Sequence, residues 1–145
     1  RGLQINYELE DSSEKKSVEE VVRQALVRAG AITALNAQSL EKKVSWSRSS
    51  RTDAGVHALR LVLCAKFLVG VDDIDEHGHC PALATSVNSE LPDDIRCYGA
   101  ARVPNSFDAK SACSWREYEY LLPTHLARSA IDAIDIKAED LAVRL

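Results

Sequence analysis

Apolar positions fall into one clear helical stretch and several alternating ones. Val18, Val21, Val22, Ala25, Leu26 and Ala29 recur at helical spacing. Ser17 and Glu20 form a capping box ahead of them, and Gly30 is placed to stop the helix. A short helix is predicted within Thr33 to Lys43, then a strand at Val44-Ser45-Trp46-Ser47. The apolar run from Leu59 to Leu68 predicts a second strand, with a loop around Asp53 between the two. Val71 to His79 is acidic and loop-like, and Pro81 suits the first turn of a helix running to about Asn88. A strand is predicted from Ile95 to Val103. Another follows from Ser114 to Leu122, where Arg116, Tyr118 and Tyr120 share one face. Gly2 to Leu9 reads as the tail of a strand, and a helix starts near Lys137. The expected fold class is α+β: a mostly antiparallel sheet with helices packed on one face.

The chain has 145 residues, of which 46% are hydrophobic and 28% charged, ordinary values for a globular domain. It has no apolar run of membrane-spanning length and no signal-peptide pattern, so no membrane partner is expected. Both ends read as cut from a longer protein. Cys64, Cys80, Cys97 and Cys113 form no CxxC pair and are expected to be reduced, mostly buried thiols of an intracellular protein. The net charge of −4 argues against a broad nucleic-acid-coating surface, but a local basic cleft is compatible with it.

The stretch with the most chemistry is Arg51-Thr52-Asp53-Ala54-Gly55-Val56-His57-Ala58. It sets a carboxylate at a chain reversal. A guanidinium lies two residues before it, and a glycine that permits unusual backbone angles lies two residues after. Asp53 is either a nucleophile presented into a cleft or the cap of a turn, since Asp before Ala-Gly is common in turns. Tyr118 and Arg116 offer a base-stacking ring beside a phosphate-binding fork, or else a cross-strand pair; for Tyr120 the cross-strand reading is preferred. Arg48, Arg51, Arg60, Lys66, Arg102, Lys110 and Arg116 would form a local basic surface if these segments pack together, with Lys66 and Arg102 read as ordinary solvated charges. His57 reads as a hydrogen-bonding brace for the loop. His77-Gly78-His79-Cys80 beside Asp72, Asp73 and Asp75 invites a zinc reading, but no second ligand pair has matching spacing, and a flexible acidic loop is preferred.

Together these residues resemble the TruA-type tRNA pseudouridine synthases. The Arg51-to-Ala58 segment resembles that family's catalytic motif. Four further segments agree in order: Gly2-Leu3-Gln4; Asn88 with Leu91-Pro92-Asp93-Asp94-Ile95; Val103-Pro104 with Phe107-Asp108-Ala109; and Arg116-Glu117-Tyr118-Glu119-Tyr120. Trp46-Ser47-Arg48-Ser49-Ser50-Arg51, Asn6 and Leu121-Leu122-Pro123-Thr124 look like the eukaryotic branch. Ala54 departs from it, since that branch often carries lysine there.

The resemblance implies an isomerase that converts uridine in tRNA to pseudouridine without metal or organic cofactor. It implies Asp53 as the nucleophile, with attack on ribose or base left open. Tyr118 is implied as the ring stacking on the target uracil, and Arg51 as an aid to displacing the nucleotide. Arg116 and Lys110 are plausible phosphate contacts. It further implies that residues 1–145 are the N-terminal part of a catalytic domain of two α+β halves, whose downstream segment supplies a basic partner for Asp53 and has no counterpart here. The chain alone would then bind tRNA poorly and turn over little. The partner is tRNA, with monomer or homodimer undecided, in the nucleus or mitochondrion. The rival readings are an RNA-binding module without catalysis and a carboxylate-dependent hydrolase of small substrates.

Overall fold

The computed structural model describes residues 17–53 and 55–121. The strand expected at Gly2–Leu9, the residues Ala54 and Leu122–Thr124, and the helix expected from Lys137 lie outside the described residues. The chain forms two compact units, Arg1–Cys113 and Ser114–Leu145.

The first unit opens with α1, Val18–Arg28. Ser17 caps it by accepting from the Glu20 N–H at 3.2 Å, as its sequence predicts. The Glu20 carboxylate also accepts from Arg23 and Gln24, one turn further along. Gly30 ends α1 with φ 72°. The Gly30 N–H donates to the Val27 carbonyl and the Ala31 N–H to the Leu26 carbonyl, a Schellman closure that needs this left-handed residue.

The short helix expected within Thr33 to Lys43 is two helices, α2 (Ala34–Ala37) and α3 (Leu40–Val44). Ser45 follows α3 with φ 54°, a left-handed conformation rare for a residue with a Cβ. This bend closes α3 through the Trp46 N–H to the Leu40 carbonyl and delivers Trp46 into the core, 5% exposed. α4 spans Pro81–Asn88, with Pro81 in its first turn as predicted. α1 packs against α2 and α4 around Val22, Leu26, Ile32, Leu40, Trp46 and Val87. Leu40 is fully buried. Leu40→Ala is expected to destabilise the fold by about 2–5 kcal/mol, read as a shift of the urea midpoint without a change in slope.

The sheet confirms the mixed α+β class but is small among the described residues. β1 (Ser47–Arg48) pairs antiparallel with β2 (Leu63–Cys64), in the register Ser47↔Cys64 and Arg48↔Leu63. The strand expected over Leu59–Leu68 narrows to β2. It is continued by single bonds, from the Lys66 N–H to the Val44 carbonyl and from the Leu68 N–H to the Ala31 carbonyl.

The strand expected at Ile95–Val103 is a single bridge, His79↔Ala101. Its other end is held by a side chain. Asn88 donates to the Cys97 carbonyl at 2.8 Å and accepts from the Cys97 N–H at 2.9 Å, so one amide replaces a ladder neighbour. In the second unit, residues 114–121 form no strand. The physical reason is common to all three segments: alternation marks which residues suit a strand, but a ladder needs a partner in register, and the described residues supply one only to β1 and β2.

Candidate functional site

β1 and β2 are the two arms of a hairpin, and Asp53 lies in the long loop between them. The ladder extends one step past β1, where the Ser49 N–H donates to the Val62 carbonyl at 2.9 Å and the Val62 N–H donates to the Ser49 hydroxyl at 3.1 Å. Beyond it, the Val56 N–H donates to the Asp53 carbonyl at 3.1 Å and closes a turn. Gly55 occupies the third position of that turn with φ 88°, the angle that glycine alone adopts without strain. The Asp53 carbonyl closes the turn through the backbone while its side chain stays exposed. Arg51 is exposed too, and among the described residues no hydrogen bond or ion pair holds either side chain.

His57 is exposed and makes no hydrogen bond among the described residues, so its expected bracing role is replaced by the Gly55 turn. Among the described residues no three His, Cys, Asp or Glu side chains form a metal-ligand group. Asp75 instead accepts from the His77 and His79 backbone N–H groups at 2.9 and 2.7 Å. A shallow depression of about 380 Å³ is lined by Gly78, Arg102, Val103, Pro104 and Asn105, and none of Arg51, Asp53, Lys110, Arg116 and Tyr118 lines it.

The segment leading to Lys110 docks at the base of the hairpin. The Ala109 N–H donates to the Ser47 hydroxyl at 3.0 Å, the Cys64 Sγ lies 3.9 Å from the Phe107 carbonyl, and Ala109 is buried. Lys110 itself is exposed. The Ser111 N–H and hydroxyl, with help from Ser47, hold the Asp108 carboxyl below the usual carboxylate range. Such an acid stabilises the fold above its ordinary value of 3.8, and that contribution is lost as pH falls through the lower folded value. Asp108→Asn is expected to flatten this part of the acid-unfolding curve below about pH 3.8, followed by circular dichroism. An unchanged slope would remove Asp108 from the acid response.

Burial pushes the Cys64 thiol up, and Asp108 adds to the effect, which keeps Cys64 protonated and makes it a poor nucleophile. All four cysteines are free; Cys80 is buried and the other three are half-buried.

Arg116 and Tyr118 belong to the second unit. Both are exposed, Tyr118 at 59%.

The sequence reading missed Glu19, which is 1% exposed. Its Oε1 accepts from Trp46 Nε1 at 2.5 Å and from Arg48 Nη1 at 2.9 Å. Arg48 is consequently no part of an open basic surface: its side chain is 19% exposed, and a second carboxylate, Glu41, lies 3.7 Å away. Removing one member of such a buried pair strands the other, typically at about 3–5 kcal/mol. The signal was present in the spacing. Glu19 stands three and seven residues before Val22 and Leu26, on the buried stripe of α1.

No family model matches the chain. Curated relatives do. "tRNA pseudouridine synthase 1" of Yarrowia lipolytica is 36% identical over 124 residues, covering 86% of this chain and 20% of the relative. The protein of the same name in Saccharomyces cerevisiae is 38% identical over 109 residues, covering 75% of this chain and 18% of that one. "Pseudouridylate synthase 1 homolog" of Homo sapiens is 39% identical over 123 residues, covering 85% and 26%. The chain belongs to the eukaryotic branch of the TruA-type tRNA pseudouridine synthase family. It spans about a fifth of the length of these yeast relatives and about a quarter of the human one. The structure gives two of the family-like segments a physical job. Asn88 clamps Cys97, and Phe107-Asp108-Ala109 locks the base of the Asp53 hairpin.

Proposed function

We propose that the whole protein isomerises uridine to pseudouridine in tRNA, and that this chain contributes the N-terminal part of its catalytic domain. The observation that carries the reading is Asp53: a carboxylate exposed on a glycine-closed turn, at the far end of a hairpin anchored on both arms, in a chain of this family.

In this reading Asp53 is the nucleophile. The N1–C1′ bond of uridine breaks, the uracil turns, a C5–C1′ bond forms, and the proton from C5 is lost while N1 gains one. The product has the composition of the substrate, so the reaction needs no redox partner or cofactor. The target nucleotide must leave its stack to be reached. Tyr118 would supply an aromatic face for the extruded uracil, and Arg51 would help displace the nucleotide. Arg116 and Lys110 would contact phosphates, making binding salt-dependent.

The test is nucleoside analysis of tRNA digested after incubation with the whole protein. Pseudouridine is expected to appear at the expense of uridine. Salt-sensitive tRNA binding without pseudouridine would instead assign an RNA-binding module, and turnover of small substrates without RNA would assign a hydrolase.

A further inference from the structure

Arg48 looks in the sequence like one more cation for phosphate, but the fold turns it inward. A single oxygen of Glu19 accepts from both Trp46 and Arg48, two residues apart and so on one side of the chain entering β1. Between them Ser47 bonds Ala109, while the Arg48 backbone pairs with Leu63. Anchoring continues as far as Ser49 through Val62, and Asp53 follows in the loop.

We propose that Glu19 is a positioning residue. Through Arg48 and Trp46 it fixes the strand from which the Asp53 loop departs, and so sets the direction of that carboxylate without touching RNA. An apolar cluster would fill the same space. A planar guanidinium held by a carboxylate admits fewer orientations, which is what a loop needs when an error of about 1 Å can cost about 100-fold in rate. Glu19 and Glu41 together offset the charge of Arg48, so Arg48 adds little to any field that attracts RNA. The catalytic half of the proposal rests on the pseudouridine-forming reading; the structural half does not.

The experiment uses Glu19→Gln, Arg48→Gln and the double variant in the whole protein. It measures the single-turnover rate at saturating tRNA, tRNA affinity across salt concentrations, and amide hydrogen exchange over residues 47–53. Each single variant is expected to slow the rate by about 10- to 100-fold, with affinity within about twofold and an unchanged salt slope. The double variant should be no slower than either single one, because both act through one contact. Exchange at Ser49–Thr52 should rise in all three.

Weaker binding with a salt slope reduced by about one would make Arg48 a phosphate contact and overturn the proposal. So would multiplied effects in the double variant, or a normal rate in folded variants. If the single variants fail to fold, the double variant decides, since it leaves no buried charge unpaired; normal rate and exchange in it overturn the proposal. If the wild-type protein makes no pseudouridine, the functional reading fails and exchange alone decides. Faster exchange supports the positioning role, and unchanged exchange ends it.

Discussion

Asp53→Ala in the whole protein is expected to reduce pseudouridine formation by about 10⁴-fold or more while tRNA affinity stays within a few-fold. The size follows from the role. A nucleophile takes part in bonds made only along the reaction path, so its removal affects the chemical step rather than binding. The structure makes the split testable. The Asp53 side chain is exposed, with no hydrogen bond or ion pair among the described residues, and its loop is held by backbone bonds from Ser49 and Val56 that alanine leaves intact. The fold should therefore survive the substitution, and melting should confirm it. Single-turnover kinetics at saturating tRNA, read by nucleoside analysis, measure the rate. A rate within about tenfold of wild type would remove Asp53 from the mechanism.

Tyr118→Ala should slow the same step by about 10- to 100-fold, the range expected when an aromatic platform for one base, worth about 1–3 kcal/mol, is lost. The ring is 59% exposed, so no buried core is disturbed and the loss should appear in rate rather than stability. Tyr118→Phe separates the two chemical features of the side chain. A near-normal rate in it assigns the effect to the ring face, and a loss equal to that of alanine assigns it to the hydroxyl. A normal rate in Tyr118→Ala would withdraw the stacking role.

Legibility followed the range of the interaction. α1 and α4 could be read because their caps and stops are local: Ser17, Gly30 and Pro81 each act within a few residues. The Asp53 turn could be read for the same reason, through Gly55 two residues away. The strands could not be bounded. Alternation at Ile95–Val103 and Ser114–Leu122 says which side chains share a face but not whether a neighbour is present, and the segment at Cys97 is held by the Asn88 amide instead. Arg48 was misassigned because its partner, Glu19, lies on another element. A cation beside a motif looks like a phosphate contact until packing shows which carboxylate it meets. His57 shows the opposite case: among the described residues it makes no hydrogen bond, and the turn at Gly55 is closed by the backbone.

In the proposed function, Asp53 is aimed at a uridine that the whole protein isomerises. Tritium release from tRNA labelled at C5 of its uridines tests it most directly, because the C5 proton leaves only if the base has rejoined through carbon. Single-turnover release to water is expected in step with pseudouridine formation by the wild-type protein, and none above background by Asp53→Ala. Tight, salt-sensitive tRNA binding with the label fully retained by the wild type would contradict it.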